Sequence, residues 1–159
     1  MELSDLLGRI IHCNSISSIN PSLDQGNRDV IDLLANTLSE LGFAIEIMDL
    51  GNNKANLIAT YGTGPGGLVL AGHTDTVPCD EALWQSNPFA LTERDNRWYG
   101  LGSCDMKGFF PLAIEAFKSL PDKTLKQPLI ILATADEESS MAGAKALVSA
   151  GKPIARSAL

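Results

Sequence analysis

The 159-residue sequence predicts an α/β fold, a mixed and partly parallel sheet flanked by helices. Three observations carry that expectation. Strand-like runs alternate with segments whose apolar residues recur at helical spacing. The run PLIILATA (128–135) is almost wholly apolar, the pattern of a strand covered on both faces. Two apolar runs, LVLAG and LIILATA, end abruptly in functional groups, His73-Thr74-Asp75 and Asp136-Glu137-Glu138. Ligands of such sheets sit just beyond the carboxyl ends of the strands. Were these two strands parallel neighbours, both polar clusters would leave the sheet at one edge.

Each element has its own signal. Residues 2–13 are predicted helical because Leu3, Leu6, Leu7, Ile10 and Ile11 share one side. After the polar stretch NSISSINPSLDQGN, a second amphipathic helix over 28–41 aligns Val30, Ile31, Leu34, Leu38 and Leu41, and Gly42 stops it. FAIEIMDL, NLIATYG and GLVLAG follow as strands, separated by turns at GNNK and GTGPGG. Beyond a proline-containing loop, LTERDNRWYG reads as a short hairpin turning at Asp95-Asn96. KGFFPLAIEAFKSL is a helix that tolerates Pro111 only in its first turn, where no backbone donor is needed. PLIILATAD is the buried strand, and SSMAGAKALVSAG is a closing helix ended by Gly151.

Composition narrows the class. With 45% hydrophobic and 19% charged residues, the chain can build one domain with a true core. A net charge of −7 with scattered Lys and Arg argues against a nucleic-acid partner. The start MELSDLLGRI has early acids and no long apolar run, so neither a signal peptide nor a membrane span is expected. Cys13, Cys79 and Cys104 are far apart and form no CxxC, which suits free thiols in a reducing cytoplasm.

The polar clusters admit plain readings one at a time. His73 would be a satisfied core histidine and Asp75 a turn residue. Asp105, between the Gly-rich corner YGLGSCD and a helix, would be an N-cap. Glu137-Glu138 would be a solvated helix start, which favours acids. Together they suggest more. One imidazole and several carboxylates make an oxygen-rich site suited to Zn2+, Mn2+ or Co2+. Asp75, two residues from His73, can hold the ring nitrogen not used for ligation. A bridging carboxylate allows two cations roughly 3.5–4 Å apart, and such cations lower the pKa of water to about 7. A second, unligated carboxylate would then take a proton and deliver it to a leaving amine. The chemistry is that of a hydrolase.

Rival chemistries find less support. Nothing near Cys104 in the sequence would depress a thiol pKa. Ser103 and Ser139 lie in no G-x-S-x-G turn. GTGPGG lacks the Lys-Ser/Thr of a phosphate loop. His12 falls within a helix as a structural residue, and Trp84, Phe89 and Trp98 are expected to serve packing.

GHTDTVP, YGLGSCDMKG and ATADEE, in this order and about thirty residues apart, resemble peptidase family M20, the co-catalytic zinc aminoacylase/carboxypeptidase-type metallohydrolases. The resemblance runs along essentially the whole chain, WQSNPFALTERD included. Leu101 in YGLGSCDMKGFF, where relatives often carry Arg, and the run LATADEESSMAGAK point within the family to amino-acid biosynthesis. The implied substrate is a small N-acyl amino acid carrying an acetyl group, with a succinyl group as the rival.

The resemblance implies two divalent metal ions, Zn2+ first with Co2+ or Mn2+ as alternatives. His73 would bind one, Glu138 the other, and Asp105 would bridge both. Asp75 would orient or polarise His73, and Glu137 would be the general base that later protonates the leaving amine. The Asp105-Met106 peptide bond is expected to be cis, while Lys107 and Gly108 complete the motif without a chemical role for the lysine. Family members are more than twice as long, with a further carboxylate and a late histidine as ligands and an inserted smaller domain that carries dimer contacts. Residues 1–159 are thus expected to be the N-terminal part of a catalytic domain, a weak metal binder and inactive alone, from an enzyme that is a homodimer. The alternative from another class is a non-catalytic remnant or interaction module.

Overall fold

The computed structural model describes residues 1–159. Two helices, α1 (Leu3–His12) and α2 (Arg28–Glu40), precede the hairpin of β1 (Ala44–Gly51) and β2 (Lys54–Tyr61). β3 (Leu68–His73), the small hairpin β4 (Thr92–Arg94) and β5 (Arg97–Tyr99), and α3 (Phe109–Lys118) follow. β6 (Leu129–Thr134), α4 (Ala142–Ala150) and the two-residue β7 (Ser157–Ala158) complete the order. The main sheet runs β1-β2-β6-β3-β7. β2 is antiparallel to both β1 and β6, whereas β3 is parallel to β6 and to β7. The sheet is therefore mixed and partly parallel, as the sequence pattern predicts.

Strand periodicity explains the layers. Leu57 and Ala59 of β2 and Ile131 and Ala133 of β6 face α1, α2 and α3, in a core with Ile10, Ile31, Leu34, Leu38, Phe110 and Phe117. The alternate residues Ile58, Val69, Ile130 and Leu132 pack with Leu147 of α4 on the other face. β6 is covered on both sides, which is why its sequence shows no polar alternation. Asn52-Asn53 and Asp95-Asn96 turn the two hairpins with positive φ at both central residues, a conformation that Asn and Asp tolerate. No helix is long and apolar enough to cross a membrane.

Some boundaries differ from the periodicity. The closing helix starts at Ala142 rather than at 139, because Met141 adopts a left-handed conformation with φ 57°. Residues 136–141 instead form a turn closed by the Met141 N–H donating to the Asp136 carbonyl at 2.6 Å. A single 3₁₀ turn (Glu81–Leu83) lies in the proline-containing loop, where the Asp80 carboxylate accepts from the Ala82 N–H. β7, two residues long, leaves no periodic trace in the sequence.

α4 approaches the end of β6 so closely that Gly143 has no room for a side chain. A Cβ there would stand 2.5 Å from the Ala135 carbonyl oxygen and 2.5 Å from Asn56 Oδ1. Both are fixed. Buried Asn56 accepts from the Ala135 N–H at 3.1 Å and donates to the Gly143 carbonyl at 2.9 Å. Gly143→Ala is expected to destabilise the fold by about 1–3 kcal/mol, as an overpacked contact that cannot relax. Urea unfolding should show a lower midpoint with an unchanged slope.

Candidate metal centre

The parallel register of β3 and β6 pairs His73 with Thr134, so both strands end at the same edge of the sheet. The chain beyond His73 stays buried by borrowing partners for its backbone. Thr74 N–H donates to the Thr134 carbonyl, Thr76 N–H to the Ser15 carbonyl, and Ser17 N–H to the Thr76 carbonyl. The loop after α1 therefore extends the sheet edge around the HTDT segment and supplies partners for its buried backbone.

All five predicted site residues meet at the His73 ring, Asp75 on its Nδ1 side and Asp105 and Glu137 on its Nε2 side. Nε2 lies 3.1 Å from Asp105 Oδ1 and 3.9 Å from Glu137 Oε2. One ligand atom each from His73, Glu137 and Glu138 fall within 4.8 Å of one another. Asp105, mostly exposed, comes from the loop before α3. It caps nothing: α3 begins after Gly108 without a side-chain cap, so the plain N-cap reading of Asp105 is overturned. Its peptide bond to Met106 is cis, as the resemblance implies. Glu137 and Glu138 likewise start no helix; they ride on the turn after β6.

Asp75 differs in detail from the expectation. The ring's Nδ1 lies 3.0 Å from the Asp75 carbonyl oxygen, while the Asp75 carboxylate Oδ1 is 3.7 Å away. Oδ2 accepts the Glu138 N–H at 3.0 Å, tying the HTD segment to the glutamate turn. Oδ1 is buried with no hydrogen-bond partner. An unpaired buried carboxylate oxygen is costly, and it marks a place where positive charge belongs. A cation on Nε2 requires the ring proton on Nδ1, and there Asp75 offers both its carbonyl and this orphan oxygen.

The electrostatics agree. Burial pushes the Glu138 carboxyl above its ordinary pKa; Asp105, Glu137 and Asp75 add to that, against a lowering by His73. Carboxylates crowded this closely repel one another and favour a bound cation. One imidazole with several carboxylates fits a borderline to hard divalent ion.

Two participants are not evident from sequence. Lys107 is almost wholly buried, and its Nζ donates to the Cys13 carbonyl at 2.7 Å, at the C-terminal end of α1. Burial pushes its ammonium down to about 8. It straps the Asp105 loop to α1 and passes under Gly102, where φ is 82° and a Cβ would stand 2.7 Å from its Cδ. The second is Asp136, whose buried carboxylate accepts from Lys54 at 2.5 Å, Ser17 at 2.6 Å, Ser139 at 2.7 Å, and Ser140. Burial alone would raise its pKa, but these hydrogen bonds, led by Lys54, hold it below the usual carboxylate range. Only the place of each residue inside a motif could have flagged it.

The three cysteines are free. Cys104 is exposed beside Asp105, and Trp84, Trp98 and Tyr99 line an apolar groove behind that loop with Leu3, Leu7 and Leu112.

Comparison with known proteins follows the same lines. The family model described as Peptidase family M20/M25/M40 matches residues 69–157. The chain is 55% identical over 141 residues to an acetylornithine deacetylase of Pasteurella multocida, covering 87% of this chain and 37% of the relative. It is 54% identical over 143 residues to an acetylornithine deacetylase of Photorhabdus laumondii, covering 89% and 37%. An M20 family metallo-carboxypeptidase from Sulfolobus solfataricus superimposes with a TM-score of 0.72 at 24% identity, over 87% of this chain and 31% of that one. That last likeness shows the fold. The chain spans about 37% of the length of these curated relatives.

Proposed function

The chain belongs to peptidase family M20/M25/M40, and from that premise we propose that it carries part of the site of an acetylornithine deacetylase. The reaction is hydrolysis of N2-acetyl-L-ornithine to L-ornithine and acetate, a step of amino-acid biosynthesis in the cytoplasm. One observation carries the reading. His73, Glu137 and Glu138 converge within 4.8 Å at the shared end of two parallel strands, in a chain 55% identical to an acetylornithine deacetylase.

In this reading His73 and Glu138 would each hold a divalent cation, Zn2+ first, and Asp105 would be the ligand shared between them. Asp75 keeps the His73 proton on Nδ1. When bound, the cations supply positive charge that polarises the amide carbonyl and acidifies water. Glu137 does the proton work. Water adds to the acetyl carbon, Glu137 accepts the proton released, and it returns that proton to the amine nitrogen as the C–N bond breaks.

His73, Asp105 and Glu138 give each cation two protein ligands, whereas catalytic zinc ordinarily has three and an open position. We therefore assign 1–159 to the N-terminal part of a catalytic domain in a longer enzyme, which the family resemblance alone implies to be a homodimer. The test is an assay of the freed primary amine, with N-acetylornithine and N-succinyl-diaminopimelate side by side. It is run on the chain alone and on the chain joined to the remaining sequence of the Pasteurella relative. Zn2+- or Co2+-dependent turnover of acetylornithine by the joined protein, with little by the chain alone, is the expected result. Preference for the succinyl substrate would overturn the substrate assignment. Absence of hydrolysis of either substrate at saturating metal would overturn the enzymatic reading, leaving the non-catalytic one.

A further inference from the structure

We infer that Asp136, itself no ligand, is the positioning residue of the centre: its buried carboxylate is a post that holds the Glu137-Glu138 turn in place. This deepens the metal reading above and rests on it for its chemical consequence. Asp136 has φ 65°, a left-handed backbone uncommon outside glycine, though Asp tolerates it better than most side chains. That reversal directs the chain out of β6 into the turn bearing both glutamates. A disfavoured conformation persists only where its surroundings over-determine it.

The surroundings do so through one carboxylate. Three segments distant in sequence converge there. Ser17 belongs to the loop after α1, Lys54 opens β2, and Ser139 and Ser140 lie in the turn itself. Ser17 Oγ and Ser139 Oγ also stand 2.7 Å apart, so the loop and the turn meet directly. Lys54 reaches on to Asp24 at 2.9 Å, and Asp24 accepts the Ser18 N–H at 3.1 Å. The same loop covers the HTDT segment through Ser15 and Ser17. Beside the Asp75–Glu138 bond, Asp136 is thus a second point at which the His73 side and the glutamate side of the centre share hydrogen bonds. None of its partners is a candidate ligand, so the network acts on the glutamates through their backbone.

Asp136→Gly separates the carboxylate from the backbone conformation, since glycine adopts positive φ without strain. Asp136→Asn is the conservative control, because Asn tolerates the same backbone and keeps one acceptor. Amide hydrogen exchange reads the turn independently of any metal, at the Glu138 and Met141 N–H groups, which donate to Asp75 and Asp136. In Asp136→Gly, exchange at these two amides is expected to rise at least about tenfold while the β6 amides hold their protection. Co2+ affinity should fall by about 10–100-fold, the range for losing a group that orients ligands. Asp136→Asn should restore most of both. Should Asp136→Gly unfold, Ser17→Ala and Ser139→Ala each remove one donor and should show the same selective rise in smaller measure. Unchanged exchange at Glu138 and Met141, or a rise shared equally by β6, would overturn the inference. Silence of the wild-type joined protein in Co2+ titration would overturn the metal reading instead, and exchange would still decide the role of Asp136.

Discussion

Replacing Glu137 by Gln is expected to slow N-acetylornithine hydrolysis by about 10²–10⁴-fold or more, the usual worth of general acid–base catalysis, while metal content stays at the wild-type level. The substitution preserves size and hydrogen-bonding reach but removes the ability to carry a proton. Glu137 and Glu138 are adjacent, and both offer an oxygen to the cluster around His73, so their division of labour needs a physical reason. The backbone of Glu138 is tied down by its N–H bond to Asp75, and burial, with the neighbouring carboxylates, pushes its carboxyl up. A fixed carboxylate in a negative surrounding suits a ligand. Glu137, more exposed, has its Oε2 3.9 Å from His73 Nε2, which suits a group that moves a proton. Glu138→Gln should accordingly lose metal first and activity as a consequence. Metal analysis with kcat and KM on the joined enzyme separates the two. A Glu137→Gln variant that loses its metal would exchange the roles of the pair.

The edge of the sheet that bears the site was legible because two buried strands betray themselves by ending. LVLAG and LIILATA are apolar until a histidine and four acids appear, and parallel pairing of β3 with β6 then brings those ends together. What stayed hidden involves partners far apart in sequence. Lys107 finds the Cys13 carbonyl 94 residues away, and Ser17 finds Asp136 at a separation of 119; no local pattern encodes such contacts. Ser139 and Ser140 misled the helix boundary for a related reason. Before an apolar-periodic run they look like N-caps, yet their hydroxyls are taken by Asp136, and the helix waits until Met141 has turned the chain. Asp75 was legible as the partner of His73 but not in its geometry, since a backbone carbonyl beside the ring competes with the carboxylate for the same N–H.

Phe110→Ala is expected to cost about 3–5 kcal/mol, a large part of the roughly 5–15 kcal/mol that holds a domain together. Phe110 is 0% exposed, and its ring lies beneath the site as well as within the core. A Cβ placed on Gly72 would stand 3.1 Å from the Phe110 Cζ and 3.0 Å from Met106 Cε. Gly72 precedes His73 and Met106 follows Asp105, so this contact joins the last turn of packing to two candidate ligands. Removing the ring leaves a cavity that α3 and β3 can close only by moving toward each other, which shifts His73 against the Asp105 loop. Leu112→Ala on the same helix is the control: Leu112 is 60% exposed, and its loss should stay within about 0.5 kcal/mol. Urea unfolding measures both costs, and Co2+ titration below the unfolding transition measures affinity per folded molecule. Reduced affinity in Phe110→Ala would mean that core packing sets the ligand spacing. Full affinity with lost stability would mean that the hydrogen-bonded posts at the sheet edge hold the centre without the core.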